Sequence, residues 1–158
     1  MMASYSATKK NIPLAEKTQI NPNALINTAD NSWEWSGKLA GSVGLPAALR
    51  FAANYEHRSG EPWARTVQFR GGRTIPNIVL SVEPLGAHRH DNLNIVDLRL
   101  ERSFRLGSAR RLAARVNVYN ALNSSTVTGR TNRSGPIFGR PTAIIPPRIA
   151  ELGLSYDF

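Results

Sequence analysis

A two-residue alternation of apolar and polar side chains restricts this chain most, and it is cleanest in the final stretch, Pro147 to Phe158. Ala150, Leu152, Leu154, Tyr156 and Phe158 fall on one side of the period; Glu151, Gly153, Ser155 and Asp157 fall on the other. Successive side chains of a strand point to opposite faces, so this is a strand with one apolar and one wet face, ending on an aromatic residue.

The same period recurs upstream. Ala3, Tyr5 and Ala7 alternate with Ser4, Ser6 and Thr8; Trp33, Trp35, Gly37, Leu39, Gly41, Val43 and Leu45 alternate with Glu34, Ser36, Lys38, Ala40 and Ser42. After Pro46-Ala47 the pattern restarts, with Leu49, Phe51, Ala53 and Tyr55 apolar against Arg50, Asn54, Glu56 and Arg58, which predicts a hairpin. Val96, Leu98, Leu100 and Phe104 oppose Asp97, Arg99, Glu101, Ser103 and Arg105. Beyond a short turn at Leu106 to Arg110, Leu112, Ala114, Val116 and Val118 oppose Arg111, Ala113, Arg115, Asn117 and Tyr119. The connections at 9–32, 59–90 and 123–147 are long and rich in Gly, Pro or Asn, and are read as loops. Within the second, Thr66–Phe69 and Thr74–Val82 flank Arg70-Gly71-Gly72-Arg73, a hairpin signal of its own.

The expectation is all-β: about six antiparallel strands with every long connection at one end and every tight turn at the other. Outer-membrane barrels sort their loops this way, long outside and short on the periplasmic side. A soluble antiparallel sheet on a core shows the same alternation but has no reason to sort its loops.

Composition is compatible with either. The 158 residues suffice for one domain; 41% are hydrophobic, and 20 Lys+Arg against 11 Asp+Glu leave a net charge of +9, which favours anionic partners. Cysteine is absent, excluding disulfides, thiolate metal sites and a Cys nucleophile. No apolar run is long enough for a transmembrane helix, and residues 1–10 carry no apolar core of a secretory signal. The missing helix does not exclude a β-barrel, which spans with weak dyad patterns, and the missing signal fits a chain that is part of something larger.

In a barrel, the charges Arg50, Glu56, Asp97, Arg99, Glu101 and Arg115 face the lumen, with Lys38 and Arg111 among them, and mixed signs allow cross-strand pairing. Arg102 alone shares parity with the apolar face, close to the Gly107 turn, where an interface costs it only about 0–1 kcal/mol. Trp33, Trp35 and Tyr55 near the long loops, and Phe104, Tyr156 and Phe158 near the other margin, predict two aromatic belts. Six strands fall short of the roughly eight at which single-chain barrels begin, and an open edge in lipid leaves backbone groups unpaired. The chain therefore reads as the C-terminal part of a larger barrel, from a truncated frame or a fragment, with closure by identical copies the lesser alternative.

The terminal pattern Glu151-x-Gly153-x-x-Tyr156-x-Phe158 resembles the signal recognised by barrel-assembly machinery. Tyr55-Glu56-His57-Arg58-Ser59-Gly60, Arg65-Thr66-Val67, Phe69-Arg70-Gly71-Gly72-Arg73, Asp97-Leu98-Arg99-Leu100-Glu101, Val118-Tyr119-Asn120-Ala121-Leu122-Asn123 and Phe138-Gly139-Arg140-Pro141 together resemble the C-terminal barrel region of TonB-dependent receptors of the Oar-like type, which carry a carboxypeptidase-regulatory-like N-terminal domain. The resemblance covers nearly all of residues 1–158. It implies a 22-stranded barrel in the bacterial outer membrane that takes up a scarce nutrient such as a metal chelate or carbohydrate, driven by TonB. Its implied partners are outer-membrane lipid and lipopolysaccharide, the barrel-assembly machinery, the remaining barrel and the plug, and TonB through these; plug and TonB box are missing from this sequence.

Chemistry is sparse. His88-Arg89-His90 puts two imidazoles on one face of an extended segment, but no third ligand is indicated and no metal or other cofactor is expected. No Gly-x-Ser-x-Gly elbow supports a hydrolase, and Gly71-Gly72 lacks the setting of a phosphate loop, so no enzyme is expected. Arg130, Arg133 and Arg140, with Arg148, form an anionic-ligand candidate in the third loop. The rival readings are a soluble basic β-rich nucleic-acid module and a surface adhesion or structural barrel. Nucleic acid is disfavoured, because aromatics do not interleave with basic residues on one exposed face.

Overall fold

The computed structural model describes residues 1–11, 31–70, 77–107 and 110–158. In chain order its strands are β1 (Met2–Lys9), β2 (Trp33–Leu45), β3 (Leu49–Arg58), β4 (Pro62–Trp63), β5 (Thr66–Phe69), β6 (Ile78–Ser81), β7 (His88–Arg89), β8 (Leu93–Leu106), β9 (Arg110–Tyr119), β10 (Val127–Arg130), β11 (Pro141–Ile144) and β12 (Ile149–Asp157), with no helix among the described residues. Six of them form one antiparallel sheet in the order β1-β2-β3-β8-β9-β12; β1 and β12 do not pair, so the sheet is open. The six dyad segments are therefore the six sheet strands.

Register carries the two faces across the whole sheet. Val43, Phe51, Leu100, Val116 and Leu152 stand opposite one another in a row, and so do Gly41, Ala53, Leu98, Val118 and Ala150. One residue away lie Ser42, Ala52, Arg99, Asn117 and Glu151, and beyond Val43 lie Gly44, Arg50, Glu101, Arg115 and Gly153. A slip of one residue at any ladder would put charges among the leucines, so the pattern fixes the register.

The polar face is knitted by side chains. Lys38 pairs with Glu56 at 3.4 Å, Arg99 with Glu101, and the Tyr119 hydroxyl donates to Glu151 at 3.2 Å. Gly153 has a local reason: a Cβ there would lie 2.5 Å from Nε of Arg115, whose side chain crosses the glycine. Arg102 lies on the apolar side as expected, its guanidinium 4.9 Å from the Phe104 ring centre.

Among the described residues nothing covers the apolar face. Leu152 and Leu154 are 81% and 76% exposed and Val116 is 39% exposed. Among the described residues the buried hydrophobic side chains are Ala64, Leu93 and Ile145, and none belongs to that face. Withdrawing a leucine-sized side chain from water is worth roughly 1.5–3 kcal/mol. Leaving Leu39, Val43, Leu100, Val116, Leu152 and Leu154 exposed to water thus forfeits about as much as a whole domain's net stability of roughly 5–15 kcal/mol.

The connections differ as expected in length but less in order. The tight turn after β2 places Ala47 and Ala48 at φ 62° and 56°, with Leu49 N donating to Pro46 O. β5 pairs with β6 as the second-loop hairpin, while the Gly71-Gly72 tip lies outside the described residues, as do 12–30 and Ser108. The stretch 123–147, expected to be irregular, instead contains β10 paired with β11; register shifts within four-residue strands erase the dyad signal there. β8 begins at Leu93, three residues before the first alternating residue Val96, because Asn94 and Leu93 continue the ladder opposite His57 and Arg58.

Candidate functional site

At the long-loop end, the polar face runs into the loops and forms a cleft of about 420 Å³. Ser6 and Thr8 of β1, Glu34 and Ser36 of β2 and Arg58 of β3 supply one part of its lining, all from the wet parity of their strands. Ser59, Gly60, Glu61, His90, Asp91 and Thr128 supply the loop part.

Glycine fixes the loop side. A Cβ at Gly60 would sit 1.8 Å from the His90 carbonyl oxygen, so only glycine lets the two backbones meet. Gly60 N donates to Asn92 Oδ1 at 3.2 Å, His90 N donates to Glu61 O at 3.1 Å, and Arg89 donates to the Gly60 and Trp33 carbonyls. These bonds bring Glu61 and Asp91 to the mouth of the polar face.

Charges in the cleft are unevenly matched. Lys10 Nζ lies 2.6 Å from Glu34, and Asp91 meets Arg130 only at 3.9 Å. Arg58 and Glu61 make no ion pair among the described residues. Among the described residues His90 Nδ1 is buried without a hydrogen-bond partner.

Above the cleft the second and third long loops clasp each other. Thr66 bridges to Arg133, with Thr66 N donating to Asn132 O and Ser134 N to Thr66 O. His88 and His90 do share a face, but they use it to stack on Trp63, at centroid distances of 4.4 and 5.9 Å; Phe138 reaches the same ring from the third loop at 6.0 Å. His88 Nε2–H donates to Glu83 at 2.8 Å, and Arg65 holds the other carboxylate oxygen at 3.0 Å. Desolvation between the loops pushes the Glu83 carboxyl up, but hydrogen bonds from the Arg65 amide and the His88 imidazole, with the Arg65 charge beside it, outweigh it and hold it below its ordinary range.

The three candidate anion-binding arginines are not gathered into one site. Arg130 donates to Gly139 O, Arg133 to Gln68 at 2.8 Å, and Arg140 is exposed beyond the third-loop turn. Among the described residues no group of three His, Asp or Glu is arranged for a metal.

The aromatic residues expected to form two belts stand at the two ends of the sheet strands. Trp33 and Trp35 stand at the loop end, Trp35 Nε1 donating to His57 Nε2 at 3.1 Å. That bond leaves the imidazole proton on Nδ1, which donates to Asn94 Oδ1 at 2.8 Å; the Tyr55 hydroxyl donates to the same oxygen at 2.9 Å. Phe104, Leu112 and Tyr156 form a row at the turn end, where Tyr156 stacks with Phe158. Of the terminal signal pattern, Glu151, Gly153 and Tyr156 have sheet contacts, while Phe158 is fully exposed beyond the last pair.

Glu61, Asp91 and Thr128 escaped the sequence reading because their convergence depends on how loops pack. Gly60 was the only local signal. The role of the Asn120–Asn123 motif was also hidden. Both asparagines adopt φ near +50°. Asn120 N donates to Asp97, its side-chain amide donates to the carbonyls of Ser124 and Pro146, and Asn123 accepts from Arg148 N. Together they tie β8 and β9 to the start of β12.

Comparison with protein-family models, with curated proteins and with solved structures finds no match to this chain.

Proposed function

We propose that this chain is a C-terminal segment of the wall of an outer-membrane β-barrel, of the TonB-dependent receptor type its motifs resemble, serving uptake of a scarce solute. The observation that carries the reading is the uncovered apolar face, continuous and in register over six strands, opposite a face that holds the strand charges. Hydrocarbon is the solvent that such a face suits, and a wet lumen suits the other. The unpaired edges of β1 and β12 support the same assignment, since each backbone group left open in lipid costs several kcal/mol and calls for neighbouring strands. Those strands, a plug and a TonB-contacting segment would come from the rest of the receptor, in the order the motif resemblance implies.

In this role the cleft lies at the outer mouth of the lumen, and the clasped loops form its external roof. Transport energy would enter from the periplasmic side through parts outside this sequence. The chain supplies wall, belts and vestibule. No catalytic step is assigned to it.

Membrane fractionation and heat-modifiable gel migration of the parent protein test the reading. A parent that sediments with the outer membrane and migrates faster before boiling is expected; a parent wholly in the soluble fraction ends it.

A further inference from the structure

We propose that the cleft at the loop end of the polar face binds a small zwitterion of the short-peptide kind, a molecule carrying one ammonium and one carboxylate. The proposal deepens the uptake reading above and rests on it only for the direction of transport. Its basis is charge: the cleft offers an arginine and a glutamate, Arg58 and Glu61, neither of which has an ion-pair partner among the described residues. Asp91, held by Arg130 only at 3.9 Å, adds a second weakly engaged carboxylate beside Glu61.

Two unspent charges of opposite sign in one cleft select a ligand that brings both complements. A simple anion would satisfy Arg58 and be repelled by Glu61 and Asp91; a simple cation would suffer the reverse. A neutral sugar would leave both signs unanswered. Ser6, Ser36, Ser59 and Thr128 add hydroxyls to the same lining, Ser6 and Ser36 bonded to each other at 2.9 Å and Ser59 accepting from Trp35 N at 3.1 Å, each with hydrogen-bonding capacity left for an amide. A volume of about 420 Å³ admits a solute of a few residues. The Gly60 approach to His90 holds the carboxylate side by backbone, so the two charged walls keep their places without a ligand.

Calorimetric titration of the full chain in detergent micelles tests this with glycyl-glycine-type dipeptides, their N-acetylated and C-amidated forms, and a disaccharide. The free dipeptide is expected to bind saturably, with about a tenfold loss on capping either end, the size of one charge-assisted contact. Arg58→Gln should abolish the penalty for amidation but keep that for acetylation; Glu61→Gln should do the opposite. Both side chains are exposed, so neither change threatens the sheet, and an unaltered β-sheet circular dichroism spectrum verifies this. Equal affinity for free and doubly capped peptide, tighter binding of the disaccharide, or no saturable binding by a chain with an intact sheet would overturn the proposal. Vesicle partitioning of the same preparation separates the two readings. A chain that binds dipeptide but shuns lipid keeps this site and loses the barrel; one that enters lipid and ignores dipeptide does the reverse.

Discussion

The six-stranded sheet and the loop layer above it are stabilised in opposite ways. In the sheet, order comes from repetition: the same two-faced pattern is copied across five antiparallel ladders, and no large side chain is fully buried. In the loop layer order comes from particular contacts, among them Gly60 against His90, Trp63 between two imidazoles and a phenyl ring, and Arg65 on Glu83. Ala64 and Ile145, two of the few buried apolar residues, belong to this layer. A sheet built by repetition depends on an external medium to cover its apolar face; loops built by local contacts carry their own small core.

The contrast can be broken most severely in the middle of the apolar face. Val116→Arg would put a charge in the row between Leu100 and Leu152 and should cost roughly 2–4 kcal/mol in bilayers, whereas Asn117→Arg on the next position should be tolerated far better. Equilibrium unfolding of both variants in vesicles measures the difference. Equal costs would remove the distinction between the faces.

Next in size is the seam between the regions. Asn120→Ala loses the side-chain bonds to Ser124 and Pro146 and leaves alanine at φ 49°; at about 0.5–1.5 kcal/mol per bond, a total near 2–3 kcal/mol is expected. Hydrogen exchange should show the loss at the β9–β12 end first. Gly60→Ala, whose Cβ meets backbone, should cost about 1–3 kcal/mol and loosen the loops while leaving the sheet's exchange protection unchanged.

Acid sharpens the comparison from the loop side. Glu83 has a lowered carboxyl pKa, so its contribution is complete above the ordinary glutamate value of about 4.3 and is lost as pH falls through the depressed folded value. The loop clasp should therefore hold at about pH 5 and loosen only as pH falls below the ordinary glutamate range, as read from difference fluorescence between the protein and its Trp63→Phe variant, with Glu83→Gln removing the transition. The smallest expected effect lies in the tight turn. Replacing Ala47-Ala48, both in the left-handed region, with Asn-Gly should stabilise the sheet by about 1 kcal/mol.

The same division explains what was legible in the sequence. The dyad period reports side-chain direction directly, so the six sheet strands, their faces and the exceptional parity of Arg102 could all be read residue by residue. Loop-borne features have no period. The β10–β11 pair hides behind register shifts, and the meeting of Arg58, Glu61 and Asp91 depends on Gly60, which says that backbones come close without saying which. The stacking of His88 and His90 on Trp63 likewise needs the chain to fold back through 25 residues before their shared face acquires a purpose.

Because the chain has no cysteine, single-cysteine scanning along β12 is the most direct test of its two-faced solvation. Nitroxides placed one at a time at Glu151, Leu152, Gly153, Leu154 and Ser155 in lipid vesicles report collision with oxygen and with a water-soluble nickel chelate. The account predicts a period of two, with oxygen access highest at 152 and 154 and nickel access highest at 151 and 155. High nickel access at all five positions, or shielding of 152 and 154 from both probes, would contradict it.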